Sequence, residues 1–474
     1  MHELFSPCIQ LPLTEFGAEE IALGLLFRRA SATNRPSMES RSGVDATQVN
    51  SFSFRTVWSR IRTSQVWIVG VAFLLRLAWI IVGHTYRIKA TDENFGFGWE
   101  MGRIAASIAS GRGFANQFGP PSGPTAWEPP LYPYLTAGVF LLLGVYSKAS
   151  AFFLLMLNSA FSALTCVPIF RIARRIFSEK VAVGSAWAWV LLPNVMFWST
   201  RWIWETTLSA LLLGMVLWLA LTMEDRDGLW PWIEFGLLWG VIALNSASLL
   251  SFLPAAGLWA WYHRAKVGKR SLAGVVLSSV IFFACISPWL TRNYRVFGKF
   301  IFIRDNFGAE LRLGNGEGAD GNLMLYLDPP HDPHAMRQFQ EMGELAYIAM
   351  RKQQALDYIK ADYARFAGLS IKRFTYFWAG TPKATVPPWM SEVKNSFFFA
   401  SSVLTFWGLI RALRQRKPGA WLLFWLILLY PAIYYFVYPG QRYRVPIEPV
   451  MTILCVFLVT EAGQRSMASL PSQS

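Results

Sequence analysis

Apolar runs of 16 to 21 residues recur along most of the chain, close to the roughly 20 residues that carry an α-helix across about 30 Å of hydrocarbon. Ten runs stand out, at 66–83, 150–170, 181–199, 207–223, 229–244, 248–262, 272–290, 396–410, 421–438 and 446–461. The pattern predicts an all-α membrane bundle of about ten transmembrane helices, interrupted by two long polar segments at 84–149 and 291–395. Three short connectors are strongly basic: "RIARRIFSEK", "YHRAKVGKRS" and "RALRQRKPG". They alternate correctly with Arg55, Arg60 and Arg62 ahead of the first run, so the positive-inside rule puts all of them in the cytoplasm. The stretch "LYPYLTAGVFLLLGVY", Leu131 to Tyr146, is apolar enough for an eleventh span, but counting it would turn every later basic connector outward. It is therefore expected to lie in, or re-enter, the outer interface.

This threading divides the chain. Residues 1–64 form a polar, disordered cytoplasmic tail without a cleavable signal pattern, in which Met38 is an alternative natural start. Residues 65–290 form a membrane bundle whose first external loop is 84–149; an external region follows at 291–395, then C-terminal membrane helices at 396–462 and a cytoplasmic tail at 463–474. Within the second external segment, Leu356, Ile359, Tyr363 and Phe366 recur at helical spacing and predict a helix packed on the bundle or the interface. The protein is expected in the plasma (inner) membrane, with both termini cytoplasmic.

Composition changes the picture only at the edges. Hydrophobic residues make up 54% of the chain and aromatics 16%, as a polytopic protein requires. The net charge of +15 would suggest nucleic acid in a soluble protein. Here the basic residues gather at span ends, where they set orientation and meet anionic lipid, so no nucleic-acid partner is expected. Three of the 4 cysteines, Cys166, Cys285 and Cys455, fall inside spans, and Cys8 falls in the tail, which gives no disulfide framework and no metal spacing.

The unusual polar residues all fall on the external side of this threading. Asp92 and Glu93 follow the first span by about ten residues, where a carboxylate can take a proton from an attacking hydroxyl. Glu100, on the following helix, is an alternative for the same role. Glu205 in "RWIWET" sits at a span end between belt tryptophans, either as a site residue or paired with Arg201. In "QRYRVP", Arg442 and Arg444 flank Tyr443 at the outer mouth of the last spans. Paired guanidiniums there suit a phosphate, because each offers a planar fork of donors that stays charged when partly desolvated. Arg292 can join them. Arg76 lies inside the first span, either as a functional charge or paired with Glu234 of the fifth. The glycines of "GNGEGADG" lack the strand and helix of a phosphate loop, and His331 and His334 in "PPHDPHA" read as a turn. No cofactor is expected, and a divalent metal is not indicated.

These motifs together resemble a known family. The acidic pair after the first span, "GRIAASIASGRGF", "PPLYPYL", "RRIFSEKVAVGSAWAWVLLP", "PWLTRNYRVFGKF" and "RYRVPIEP" are similar to bacterial polytopic glycosyltransferases of the protein-mannosyltransferase-like class, over roughly Val66 to Ala462. The resemblance implies a GT-C fold and a sugar donor carried on polyprenyl phosphate. It also implies inverting transfer to a lipid, glycan or protein acceptor on the external face. It implies a catalytic aspartate in the first external loop, Asp92 with Glu93 as rival, and a second acidic residue at Glu205. A transporter or lipid flippase is the competing class, but transporters place broken helices and polar groups near the midplane.

The orientation is testable. Single cysteines at positions 174 and 205 should differ, with only the 205 position labelled by an impermeant thiol reagent from outside. External labelling at 174 would overturn the topology.

Overall fold

The computed structural model describes residues 63–89, 95–269, 271–381 and 388–468, and these residues are helical with no extended strands; one isolated β-bridge joins Ala115 and Pro124. The tail expected at 1–64 lies almost wholly outside the described residues. Six helical stretches are long and apolar enough to cross a membrane: Gln65–Val82, Lys148–Ile176, Thr206–Asp225, Leu272–Phe297, Ser391–Arg414 and Gln441–Gly463. A seventh forms if the bent pair Glu179–Leu191 and Pro193–Arg201 counts as one span. This is a multi-pass membrane protein.

The helices in chain order are α1 (Gln65–Val82), α2 (Glu100–Ala109), α3 (Leu131–Leu143), α4 (Lys148–Leu164), α5 (Cys166–Ile176), α6 (Glu179–Leu191) and α7 (Pro193–Arg201). Next come α8 (Thr206–Thr222), α9 (Trp230–Asn245), α10 (Leu253–Lys266) and α11 (Leu272–Phe297). The second long segment carries α12 (Phe307–Gly314), α13 (Pro333–Met342), α14 (Glu344–Ala361) and α15 (Tyr363–Ala379). The chain closes with α16 (Pro388–Arg414), α17 (Ala420–Leu429), α18 (Ala432–Phe436) and α19 (Glu448–Ala468). The stretches expected as spans around α9, α10 and α17 are shorter than 18 residues, because prolines, Asn245 and a 3₁₀ turn at Ala247–Phe252 break the apolar runs. Helix α19 runs on to Ala468, past the expected start of a tail at 463.

Contacts between helix ends sort the bundle into two faces. At one end Arg175 ion-pairs Glu224 at 3.0 Å and Asp225 at 2.5 Å, Lys269 pairs with Asp227 at 3.1 Å, and Arg411 pairs with Glu461 at 3.0 Å. These are the three basic connectors, gathered on one face. At the other end Thr85 donates to the Thr200 carbonyl at 2.6 Å, Asn158 to that of Trp202 at 3.0 Å, and Asn245 to Ser209 at 2.9 Å. Both long segments open from this second end. Tyr132, early in α3, reaches Asn158 in mid-α4 at 2.9 Å, while Phe97 packs on both Phe140 and Tyr146 at the other end of α3. Helices α3 and α4 thus form an antiparallel hairpin on the loop-bearing face, and α3 is not a crossing.

Arg76 has a structural role. Pro193 has no N–H, so the carbonyl of Trp189 four residues earlier loses its helical partner where α6 breaks into α7, with a bend of 49°. Arg76 donates to the carbonyls of Trp189 at 3.2 Å and Val190 at 3.4 Å, to Ser162 Oγ at 3.1 Å and to its own Ala72 carbonyl at 3.0 Å. One guanidinium caps the broken helix and ties α1, α4 and α6 together. The expected alternative, a pair with Glu234, does not form: Glu234 takes both oxygens to Arg226, at 2.5 and 2.8 Å.

Replacing Arg76 by Met keeps the length and orphans these carbonyls. Each unsatisfied buried group costs about 1–3 kcal/mol. Arg76→Met should lower the unfolding temperature of the detergent-purified protein more than Arg76→Lys does, as read by intrinsic fluorescence.

Candidate active site

The site grows from the loop-bearing ends of α2, α8 and α19. Phe95 packs its ring against Trp202 at 4.8 Å, Trp99 at 5.4 Å and Trp204 at 5.5 Å, and the Ile203 amide donates to the Gly96 carbonyl at 3.1 Å. Gly98 permits this approach: its φ is +85° and a Cβ there would meet the Ile203 carbonyl at 2.6 Å. The segment after the acidic pair is thereby stitched to "RWIWET". Asp92 and Glu93 themselves lie outside the described residues.

Glu100 opens α2, and Glu205 is the N-cap residue of α8. Arg442 lies flat over the Trp204 ring, 3.6 Å from its centroid, and donates to the Tyr443 hydroxyl at 3.2 Å. Tyr443 stacks on Tyr434 at 4.3 Å. Glu100, Glu205 and Tyr443 all lie within electrostatic reach of Arg442.

Arg444 and Arg292 go elsewhere. Gln441–Ile447 is a 3₁₀ turn, with about three residues per turn, so positions two apart leave on different sides. Arg444 is 3% exposed and donates to the carbonyls of Phe398 at 3.1 Å and Trp378 at 3.4 Å, to Ser402 and Ser401, with Glu448 at 3.7 Å. It fastens the turn to α15 and α16. Arg292 donates to the carbonyls of Thr125 at 2.6 Å and Phe114 at 2.7 Å, and lies 4.9 Å from the Trp289 ring. It clasps the first long segment.

Charges that the sequence reading passed over complete the cleft. Glu128, in "AWEPP", faces Arg304 at 3.5 Å; Arg304 also lies 3.7 Å from Glu310 and donates to Asn306 at 2.6 Å. Tyr438 hydrogen-bonds Glu310, and the Asp305 amide donates to the Ala126 carbonyl at 2.9 Å. Glu128 interacts electrostatically with Glu100, Glu205 and Arg442 as well, which puts all of them in one field. Burial pushes Glu128 up to about 8, against the pull of Arg304, and raises Glu100 likewise. Asp328 is held well above the usual carboxylate range by burial, with Glu100 and Glu310 adding to it. The side chains of Arg304, Glu310 and Glu128 nonetheless keep 30%, 19% and 14% of their surface, as groups lining a cleft do. Among the described residues no group of three or more His, Cys, Asp or Glu is placed to hold a metal ion. The turn at His331 and His334 holds: Asp332 caps α13 by accepting from the His334 amide at 2.9 Å.

Glu344 anchors the floor of the cleft. Its carboxylate accepts from the Ala126 amide at 2.6 Å and from Gln117 at 2.8 Å, two residues from Glu128.

Residues 127–291, about a third of the chain, match the family model described as dolichyl-phosphate-mannose-protein mannosyltransferase. The chain is also similar to the Archaeoglobus fulgidus oligosaccharyltransferase solved with Zn and sulfate, at 15% identity over 85% of this chain and 50% of that one, with a TM-score of 0.49. ArnT from Cupriavidus metallidurans bound to undecaprenyl phosphate is similar at 13% identity, over 88% of this chain and 82% of that one, with a TM-score of 0.40. The chain spans about half the length of the archaeal protein. A comparison with curated proteins gives no match.

Burial pushes Glu344 up to about 7. A carboxyl raised in the folded state favours folding fully below its unfolded value, and that contribution is lost as pH rises through the folded value. The permanently neutral Glu344→Gln variant should therefore gain several degrees of thermal stability on the wild type between pH 5 and pH 8.5. A difference independent of pH would count against this placement of Glu344.

Proposed function

We propose that the chain is a membrane glycosyltransferase that moves a sugar from a polyprenyl-phosphate donor to an acceptor hydroxyl, with inversion, on the external face. The observation that carries this reading is the cleft in which Glu100, Glu128, Glu205 and Glu310 meet Arg304 and Arg442, where both loop segments join the membrane helices. The family match over residues 127–291 supports the same chemistry. A lipid-borne donor reaches such a cleft from the bilayer, while a polar acceptor reaches it from water.

The chemistry needs a base and a stabilised leaving group. A carboxylate of the first loop, Asp92 or Glu93, takes the proton of the acceptor hydroxyl as its oxygen attacks the anomeric carbon. The bond from that carbon to the phosphate oxygen breaks through an oxocarbenium-like state, and polyprenyl phosphate departs with the electron pair. Arg442, fixed on Trp204, is suited to the charge that develops on the phosphate. Glu205 then orients the sugar or acceptor. A flippase reading has less support: at the helix break, the freed carbonyls of Trp189 and Val190 are already taken by Arg76.

Transfer from a polyprenyl-phosphate sugar by the purified protein tests the reading. Asp92→Asn should lower turnover by at least about a hundredfold, on the usual scale for general-base catalysis, with donor binding largely spared. Full activity in Asp92→Asn with loss in Glu93→Gln or Glu100→Gln would reassign the base, and activity in all three would remove the carboxylate mechanism from this loop.

A further inference from the structure

The amino end of α8 gathers hydrogen-bond donors that have no acceptor. The first bond of this helix runs from the Ser209 amide to the Glu205 carbonyl, so the amides of Thr206, Thr207 and Leu208 precede the ladder. Glu205 does not cap them with its side chain. Thr206 and Thr207 are 3% and 1% exposed, and both hydroxyls lack a hydrogen-bond partner among the described residues. The same holds for Arg442 Nη1, Gln441 Nε2 and Trp204 Nε1, all buried atoms. The turn that carries Gln441 and Arg442 packs on α8, and Arg442 is fixed over Trp204 just before the helix begins. Buried donors of this number normally have partners.

We propose that the phosphate of a polyprenyl-phosphate ligand seats on the amino end of α8, held by the amides of Thr206 to Leu208, the hydroxyls of Thr206 and Thr207, and Arg442. This rests on the transferase reading and names the residues that would take the lipid phosphate. A helix amino terminus offers convergent N–H groups and the positive end of the helix dipole, so an anion fits it without further rearrangement. Arg442 supplies the formal charge, and its position over Trp204 keeps the fork in place. Of the carboxyls nearby, Glu100 and Glu128 are held toward their neutral, donating form by burial, Arg304 faces Glu128 and Glu310, and Glu205, whose Oε2 is also buried without a partner, shares the field of Arg442. Arg444 has no part in this seat, since its donors are used on α15 and α16.

The test is binding of undecaprenyl phosphate, undecaprenol and inorganic phosphate to the full chain in detergent, by native mass spectrometry. Thr206→Val with Thr207→Val removes both hydroxyls and keeps the β-branched shape. This double variant should bind undecaprenyl phosphate about tenfold or more weakly, the usual effect of losing a hydrogen bond to a charged group, with undecaprenol binding unchanged. Serine at both positions should restore the affinity. Undiminished binding of undecaprenyl phosphate by the valine variant, while Arg442→Lys weakens it, overturns this seat and leaves the transferase reading standing. A wild type that does not prefer undecaprenyl phosphate to undecaprenol overturns both. Inorganic phosphate bound as tightly as the lipid would overturn the lipid as the source of the phosphate.

Discussion

Inside a bilayer no water is available to a stray carbonyl or charge, and this one constraint orders the molecule. Arg76 illustrates it. The break at Pro193 frees backbone carbonyls inside the bundle, and a buried guanidinium beside them is expensive by itself. Placed against Trp189, Val190 and Ser162, each resolves the other's problem. The same rule governs Arg444, which spends its donors on carbonyls and serines, and Arg264, which takes the carbonyls of Met223, Arg226 and Gly228 at 2.7 Å each. At one end of the bundle, unpartnered donors of Thr206, Thr207, Gln441 and Arg442 lie close to the raised carboxyls of Glu100 and Glu128.

The cleft depends on how two loop segments are pinned to each other. Arg292 and Glu344 approach the strip from Phe114 to Ala126 from different elements and use opposite chemistry: the arginine takes carbonyls and the glutamate takes an amide and the Gln117 side chain. With Ala126 also bonded to the Asp305 amide, Glu128 and Arg304 come to face each other. Neither clasp needs to touch a substrate. Their effect is to set the spacing of charges that do line the cleft.

What was readable in the chain follows the range of the interactions. The membrane architecture, the gathering of basic connectors on one face and the short helix at Leu131–Leu143 come from local composition and charge bias, which act within a segment. Glu205 was visible as a charge next to belt tryptophans at a span end, and Arg442 as one of two arginines at a span mouth where the charge bias runs against them. Glu128, Arg304 and Glu310 were not, since Arg304 and Glu128 are 176 residues apart and meet only through the docking of two loops. "AWEPP" did carry a signal, a lone carboxylate between a tryptophan and two prolines, but nothing local says what it faces. The pairing of Arg444 with Arg442 failed for a different reason: in an extended segment residues two apart share a face, whereas a 3₁₀ turn sends them apart.

The balance of charge in the cleft bears on how one site can hold both an acid-rich wall and a phosphate. Four carboxyl groups against two guanidiniums would repel an anion if all were ionised. Burial acts on Glu100 and Glu128 through desolvation, which disfavours their charged form, while the arginines keep theirs at any physiological pH. The result is that Glu100 and Glu128 are held toward a neutral form that can donate hydrogen bonds, beside the positive charge of Arg442.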